Sequence, residues 1–194
     1  MSETVLTPPE HTAPTAFTRA QLDWLPWLEP LAVEAMTERH LASLVDAARV
    51  KSPYFRLLAR DPDALEARTR TDKDIFYNPD AGLPRAEREL AAAATSRFNG
   101  CLYCASVHAR HAATYSKREE DVDRLLEAGV TAADLGERWN AIVAASVALT
   151  ATPSAFGKLR AAPSESAGPD SPAAFRLGNP CGRGPAAAAR ARRA

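Results

Sequence analysis

The chain has 194 residues, 46% of them hydrophobic and 25% charged, with a formal net charge of zero. That length fits one domain with tails, and no basic stripe interleaved with aromatic residues occurs in the first 156 residues, which argues against a nucleic-acid partner. No apolar run approaches the roughly 20 residues that cross a bilayer, and Met1 to Pro9 lack the basic start and apolar core of a signal peptide, so no membrane partner is expected and the cytoplasm is the expected location.

Residues 1–16 are polar and proline-rich and are expected to form a disordered arm. The following segment, Leu22 to Leu31, is dense in apolar side chains, but Pro26 and Pro30 prevent one regular helix through it. A short helix and turn wrapped over a core or a partner subunit is the expectation. A helix is predicted to begin after Thr37 with Leu41, Leu44, Val45 and Ala48 on one face. Ser52-Pro53 and Asp61-Pro62 each join an N-cap residue to a proline at the first helical position, marking two more starts.

Leu83-Pro84 opens an alanine-rich helix expected to run to about Arg97, and Phe98-Asn99-Gly100 breaks it. A helix from near Cys101 to about Tyr115 follows, then one from about Arg118 to Ala128 that buries Val122, Leu125 and Leu126 and ends at Gly129. The last predicted helix carries Trp139, Ile142, Val143, Ser146 and Val147 at helical spacing. No alternating pattern of strands competes, so the expected class is all-α, a helical bundle over residues 17–157. Beyond Gly157 the chain has no Ile, Val, Met, Trp or Tyr. There, seven Lys/Arg against two acids give +5, leaving −5 on the rest of a neutral chain. Residues 158–194 read as a disordered basic Ala/Gly/Pro/Arg tail, although a shifted reading frame or a tail that binds nucleic acid or membrane would give the same composition.

The chemistry is concentrated in Cys101-Leu102-Tyr103-Cys104-Ala105-Ser106-Val107-His108. Without an export signal, a CxxC reads as catalytic or metal-binding rather than as a structural staple. On a continuous helix Cys101, Cys104 and His108 share a stripe, with His111 one turn further on. Cys101 at the helix start sits where unpaired N–H groups favour an anion, and His108 is placed to accept the proton of Cys104. Both effects favour thiolate, the reactive species. A tetrahedral metal site is disfavoured, because His111 lies about 10 Å along the axis from Cys104. His111 reads as a packed histidine, Cys181 as incidental, and no metal or cofactor is expected. Glu89, read by itself, is a surface glutamate, although a hairpin of the two helices would carry it towards the cysteines.

Taken together, Glu89-x11-Cys101-x2-Cys104-x3-His108, preceded by Leu83-Pro84-Arg85-Ala86-Glu87-Arg88-Glu89-Leu90, resembles the signature of the alkylhydroperoxidase D-like, carboxymuconolactone decarboxylase superfamily. Ser52 to Pro62 and the segment holding Trp24 and Trp27 resemble a peroxidase-like branch of it. The resemblance implies an all-helical fold assembled as a trimer or hexamer, with thiol peroxidase activity. It also implies roles: Cys104 as the peroxidatic thiolate, Cys101 as the resolving thiol, and His108 and Glu89 as a proton relay. The expected partners are a peroxide substrate, organic or hydrogen peroxide, and an external dithiol reductant. Tyr103 stands where well-studied peroxidase members often carry histidine. Two other functions fit the same resemblance: a carboxymuconolactone decarboxylase-like lyase, and a non-enzymatic oligomer whose disulfide switches its assembly.

Overall fold

The computed structural model describes residues 13–151, which contain seven α-helices, two short 3-10 turns and no strand. Residues 1–12 of the arm expected over 1–16, and the tail expected over 158–194, Cys181 included, lie outside the described residues. In chain order the helices are α1 (Glu38–Ser43), α2 (Pro53–Leu58), α3 (Pro62–Tyr77), α4 (Arg85–Asn99), α5 (Leu102–Ser116), α6 (Glu119–Ala128) and α7 (Glu137–Thr150).

The centre of the molecule is the antiparallel hairpin of α4 and α5. Gly100 ends α4 in the left-handed region at φ 80°, which a residue without a Cβ adopts readily, and its N–H returns to the Ser96 carbonyl. The facing surfaces of the hairpin are made of small side chains, with Ala93, Ala94, Ala105, Ala109, Ala112 and Ala113 all buried. Small side chains let two helix axes approach closely. α6 covers α5 with Val122, Leu125 and Leu126, and α7 covers α4 with Trp139 and Val143, closing one core around Leu90. The Arg138 guanidinium also clamps α7 to α4, donating to the buried Glu87 carboxylate at 2.5 and 2.7 Å.

Leu44, Ala59 and Leu65 form a second, smaller core between α1, α2 and α3. The proline-marked starts at Pro53 and Pro62 are both observed, and Asp61 caps α3 by accepting the Ala64 N–H at 3.1 Å. The helix expected through Leu41 and Ala48 is cut short. α1 stops at Ser43, Val45 takes a positive φ of 63°, and the Asp46 side chain accepts the Ala48 N–H to start a separate 3-10 turn over Ala47–Lys51. Of the four expected inward residues, only Leu44 is buried.

A second correction concerns Leu22 to Leu31, which forms no helix and runs as an irregular strap. Pro26 and Pro30 remove two backbone donors at one-turn spacing, and side chains from α2 and the residues after it take up the freed carbonyls. Arg56 donates to the Leu31 carbonyl at 2.7 Å, and Arg60 to the Glu29 carbonyl at 2.7 and 2.9 Å. Upstream, Arg19 grips Asp123 on α6, which holds that carboxyl below its usual range, and Phe17 packs on the main core beneath Arg97. The strap is thus fastened to Arg56 of α2 and to Arg60, and the residues before it to α6 through Arg19.

Replacing Leu90 with alanine removes a fully buried side chain at the junction of α4, α5 and α7, and is expected to cost about 2–5 kcal/mol in urea unfolding. Leu149→Ala, at a side chain that is 59% exposed, is expected to stay within about 1 kcal/mol.

Candidate active site

The site lies on the α4–α5 hairpin. Cys101 is the N-cap of α5, with φ −83° and ψ 96°, so it stands just outside the helix rather than in its first turn. This solves the distance problem of a regular helix, where positions three apart hold their Cβ atoms about 5–6 Å from each other. Cys101 and Cys104 form a disulfide with Cα atoms 5.4 Å apart, inside the range such bonds require. The Cys104 N–H also points to the Cys101 sulfur at 3.3 Å, so an anion on Cys101 would meet a free donor at the helix N-terminus.

Glu89 and His108 are nineteen residues apart and nearly equidistant from the Asn99–Gly100 turn, so the hairpin sets them face to face. The Glu89 side chain is buried, with Oε2 2.7 Å from His108 Nδ1 and Oε1 2.8 Å from Arg85 Nε. Burial alone would push this carboxyl up. The hydrogen bonds from His108 and Arg85 outweigh it and hold the group below its ordinary value. An ionised carboxylate only accepts, so His108 Nδ1 is the donor of this hydrogen bond. His108 is fixed from its other face by Phe76, whose ring stacks on it at 5.2 Å.

Arg85 is a site residue that no motif in the sequence singles out. It pairs with Glu89 at 2.6 Å and donates to the Phe76 carbonyl at 2.5 Å. Its guanidinium also faces the rings of Tyr77 at 4.2 Å and Tyr115 at 5.0 Å. Its position one turn before Glu89 on the same helix is the signal that could have found it. Phe76 gives none, because it comes from α3.

A cavity of about 610 Å³ opens in front of this pair. Cys104, Tyr103, His108, Glu89 and His111 contribute to its walls, whereas Cys101 does not. Cys104 is exposed to it and Cys101 is half-buried. The structure thus brings Cys101 and Cys104 together, joins Glu89 to His108, and sets Cys104 and His108 one turn apart on α5 beside one cavity. His111 lies further along, stacked against Tyr115. Among the described residues no group of three or more His, Cys, Asp or Glu is arranged to hold a metal ion, and no helix is long and apolar enough to cross a membrane.

The described residues thus form an all-α bundle whose helical hairpin carries a CxxC disulfide beside a buried carboxylate–histidine pair. Residues 62–155 match the family model described as the carboxymuconolactone decarboxylase family. Residues 62–155 thus carry the domain of this family, which stands within the alkylhydroperoxidase D-like superfamily. No curated protein and no solved structure matches it. The match takes in α3 to α7 with all four expected site residues, and leaves the strap, α1 and α2 outside it.

Because the Glu89 carboxyl is held below its ordinary value, its contribution to stability is fully present above about pH 4.3. It is lost as the pH falls through the lower folded value. The stability difference between the protein and Glu89→Gln is therefore expected to be constant near neutrality and to shrink below about pH 4. Arg85→Gln leaves the buried carboxylate without its cation and is expected to cost about 3–5 kcal/mol at neutral pH. Denaturant titrations across pH read both effects.

Proposed function

We propose that the protein is a thiol-dependent peroxidase that reduces hydroperoxides through the Cys101–Cys104 pair. The observation that carries this reading is the sharing of one cavity by the exposed Cys104 and the His108–Glu89 pair.

The chemistry starts from the dithiol. His108 Nε2 takes the proton of Cys104, and Glu89 steadies the imidazolium that forms, as a buried carboxylate does for a catalytic histidine. The Cys104 thiolate attacks the distal oxygen of the hydroperoxide. The O–O bond breaks, Cys104 becomes a sulfenic acid, and the alkoxide takes a proton from His108 to leave as an alcohol. Cys101 then attacks the Cys104 sulfur, the S–O bond breaks, and water leaves as the disulfide forms. The N-cap position of Cys101 suits this step, because the Cys104 N–H and the helix dipole stabilise its thiolate. An external dithiol restores the pair by exchange, giving up two electrons and becoming a disulfide itself.

Access supports the assignment of roles. Cys104 meets the cavity and Cys101 sits behind it, so the substrate reaches Cys104 first. An apolar face on α7 with Leu149, Ala141 and Ala145, flanked by Leu83, is available for the self-association that the family resemblance implies.

Reduced protein mixed with a slight excess of cumene hydroperoxide is expected to lose two thiols per chain from the CxxC pair. Cys104→Ser is expected to stop the loss, and His108→Ala to slow it by about 10²-fold or more. In Cys101→Ser a sulfenic acid is expected to accumulate, captured by a dimedone-type reagent. Thiols that stay reduced in the unaltered protein would remove the peroxidase reading.

A further inference from the structure

The cavity in front of Cys104 is walled on one side by the family-matched helices and on the other by residues that precede the match. Leu22 and Trp24 of the strap, with Tyr54 of α2, line it together with Phe76 and Tyr103 and give it an apolar, aromatic wall. Trp24 and Tyr54 are in edge-to-face contact, with ring centres 5.8 Å apart. Such a wall suits the body of an organic molecule rather than hydrogen peroxide.

Four arginines also reach this cavity, and they fall into two kinds. Arg85 and Arg68 are neutralised locally, by Glu89 at 2.6 Å and by Asp72 at 2.9 Å. Arg49 and Arg110 meet no carboxylate among the described residues. Arg49 is held by Thr69 Oγ1 at 3.2 Å and by the ring of Phe55 at 4.6 Å, both neutral. Arg110 reaches only the Gln21 side-chain oxygen, at 3.4 Å. Both arginines are half-buried. Among the described residues the cavity therefore carries two positive charges that no carboxylate pairs, with no acid beyond Asp72 and Glu89 in its lining.

Arg110 lies six residues after Cys104 on α5, a rise of about 9 Å. A substrate that spans this distance with a hydroperoxide at one end and an anion at the other would engage both. We propose that the protein acts on an organic hydroperoxide that carries a carboxylate, with the aromatic wall taking its body and Arg49 and Arg110 holding its anionic end. This assignment rests on the peroxidase reading and names its substrate class. Arginine suits the role because its planar fork binds a carboxylate through two parallel N–H···O bonds.

A matched pair of compounds tests it: cumene hydroperoxide and its para-carboxylate, which differ only in the charged group. The second-order rate constant for thiol loss in the reduced full chain is expected to favour the carboxylate by about tenfold at low salt. The preference is expected to fall to near unity in Arg49→Gln/Arg110→Gln, and to survive in part in Arg49→Lys/Arg110→Lys. Equal rates for the two peroxides in the unaltered protein would overturn the proposal, as would a preference that the glutamine variant retains. If neither peroxide removes thiols, the peroxidase reading fails and binding decides this inference separately. Titration calorimetry is then expected to show the para-carboxylate of cumyl alcohol binding more tightly than cumyl alcohol, and equal binding would overturn it.

Discussion

A carboxylate buried between two helices is the constraint on which the rest of the site depends. Glu89 cannot remain ionised in the core unless donors meet both of its oxygens, and Arg85 and His108 supply them. That requirement sets the register of the α4–α5 hairpin, because Glu89 and His108 face each other only when the Asn99–Gly100 turn lies between them at nearly equal separation. It makes His108 Nδ1 the donor as well, so that in the neutral ring the acceptor is Nε2. The alanine faces of α4 and α5 serve the same end by bringing the helices close enough for a glutamate to span the gap.

Around this centre the molecule divides its tasks. The family-matched helices hold the thiols, the carboxylate and the imidazole, whereas the strap and α2 form the opposite wall of the cavity. The four proposed site residues therefore lie on one hairpin, while the shape and charge of the cavity depend on segments tied down by a few polar contacts, such as Arg19 with Asp123 and Arg56 with the Leu31 carbonyl. Changes in the strap would alter the wall of the cavity without touching Cys101 or Cys104.

Much of the helical architecture is legible in the chain because its signals are local. Pro53, Pro62, Pro84, Gly100 and Gly129 each constrain the backbone through their own covalent structure, and five of the helix boundaries fall beside them. The strap is not legible in this way, because tertiary hydrogen bonds from Arg56 and Arg60, not local propensity, determine its path. The helix after Thr37 is shorter than its apolar spacing suggests for a similar reason, since Asp46 captures the Ala48 N–H and begins a competing turn. The CxxC and His108 are evident from spacing alone. Glu89 is ambiguous in the sequence, because only the hairpin distinguishes a buried carboxylate from a surface one, and resemblance to a family resolves it. Arg85 and Phe76 carry no such mark, because their roles come from what they touch across the fold.

The state of the His108 ring is the point at which fold and chemistry meet. Heteronuclear NMR of that ring in the reduced protein at neutral pH reads it directly. A protonated Nδ1 with a pyridine-type Nε2, reversed or averaged in Glu89→Gln, is the expected result. A ring protonated at Nε2, or at both nitrogens, in the unaltered protein would contradict the proton relay assigned to Glu89 and His108.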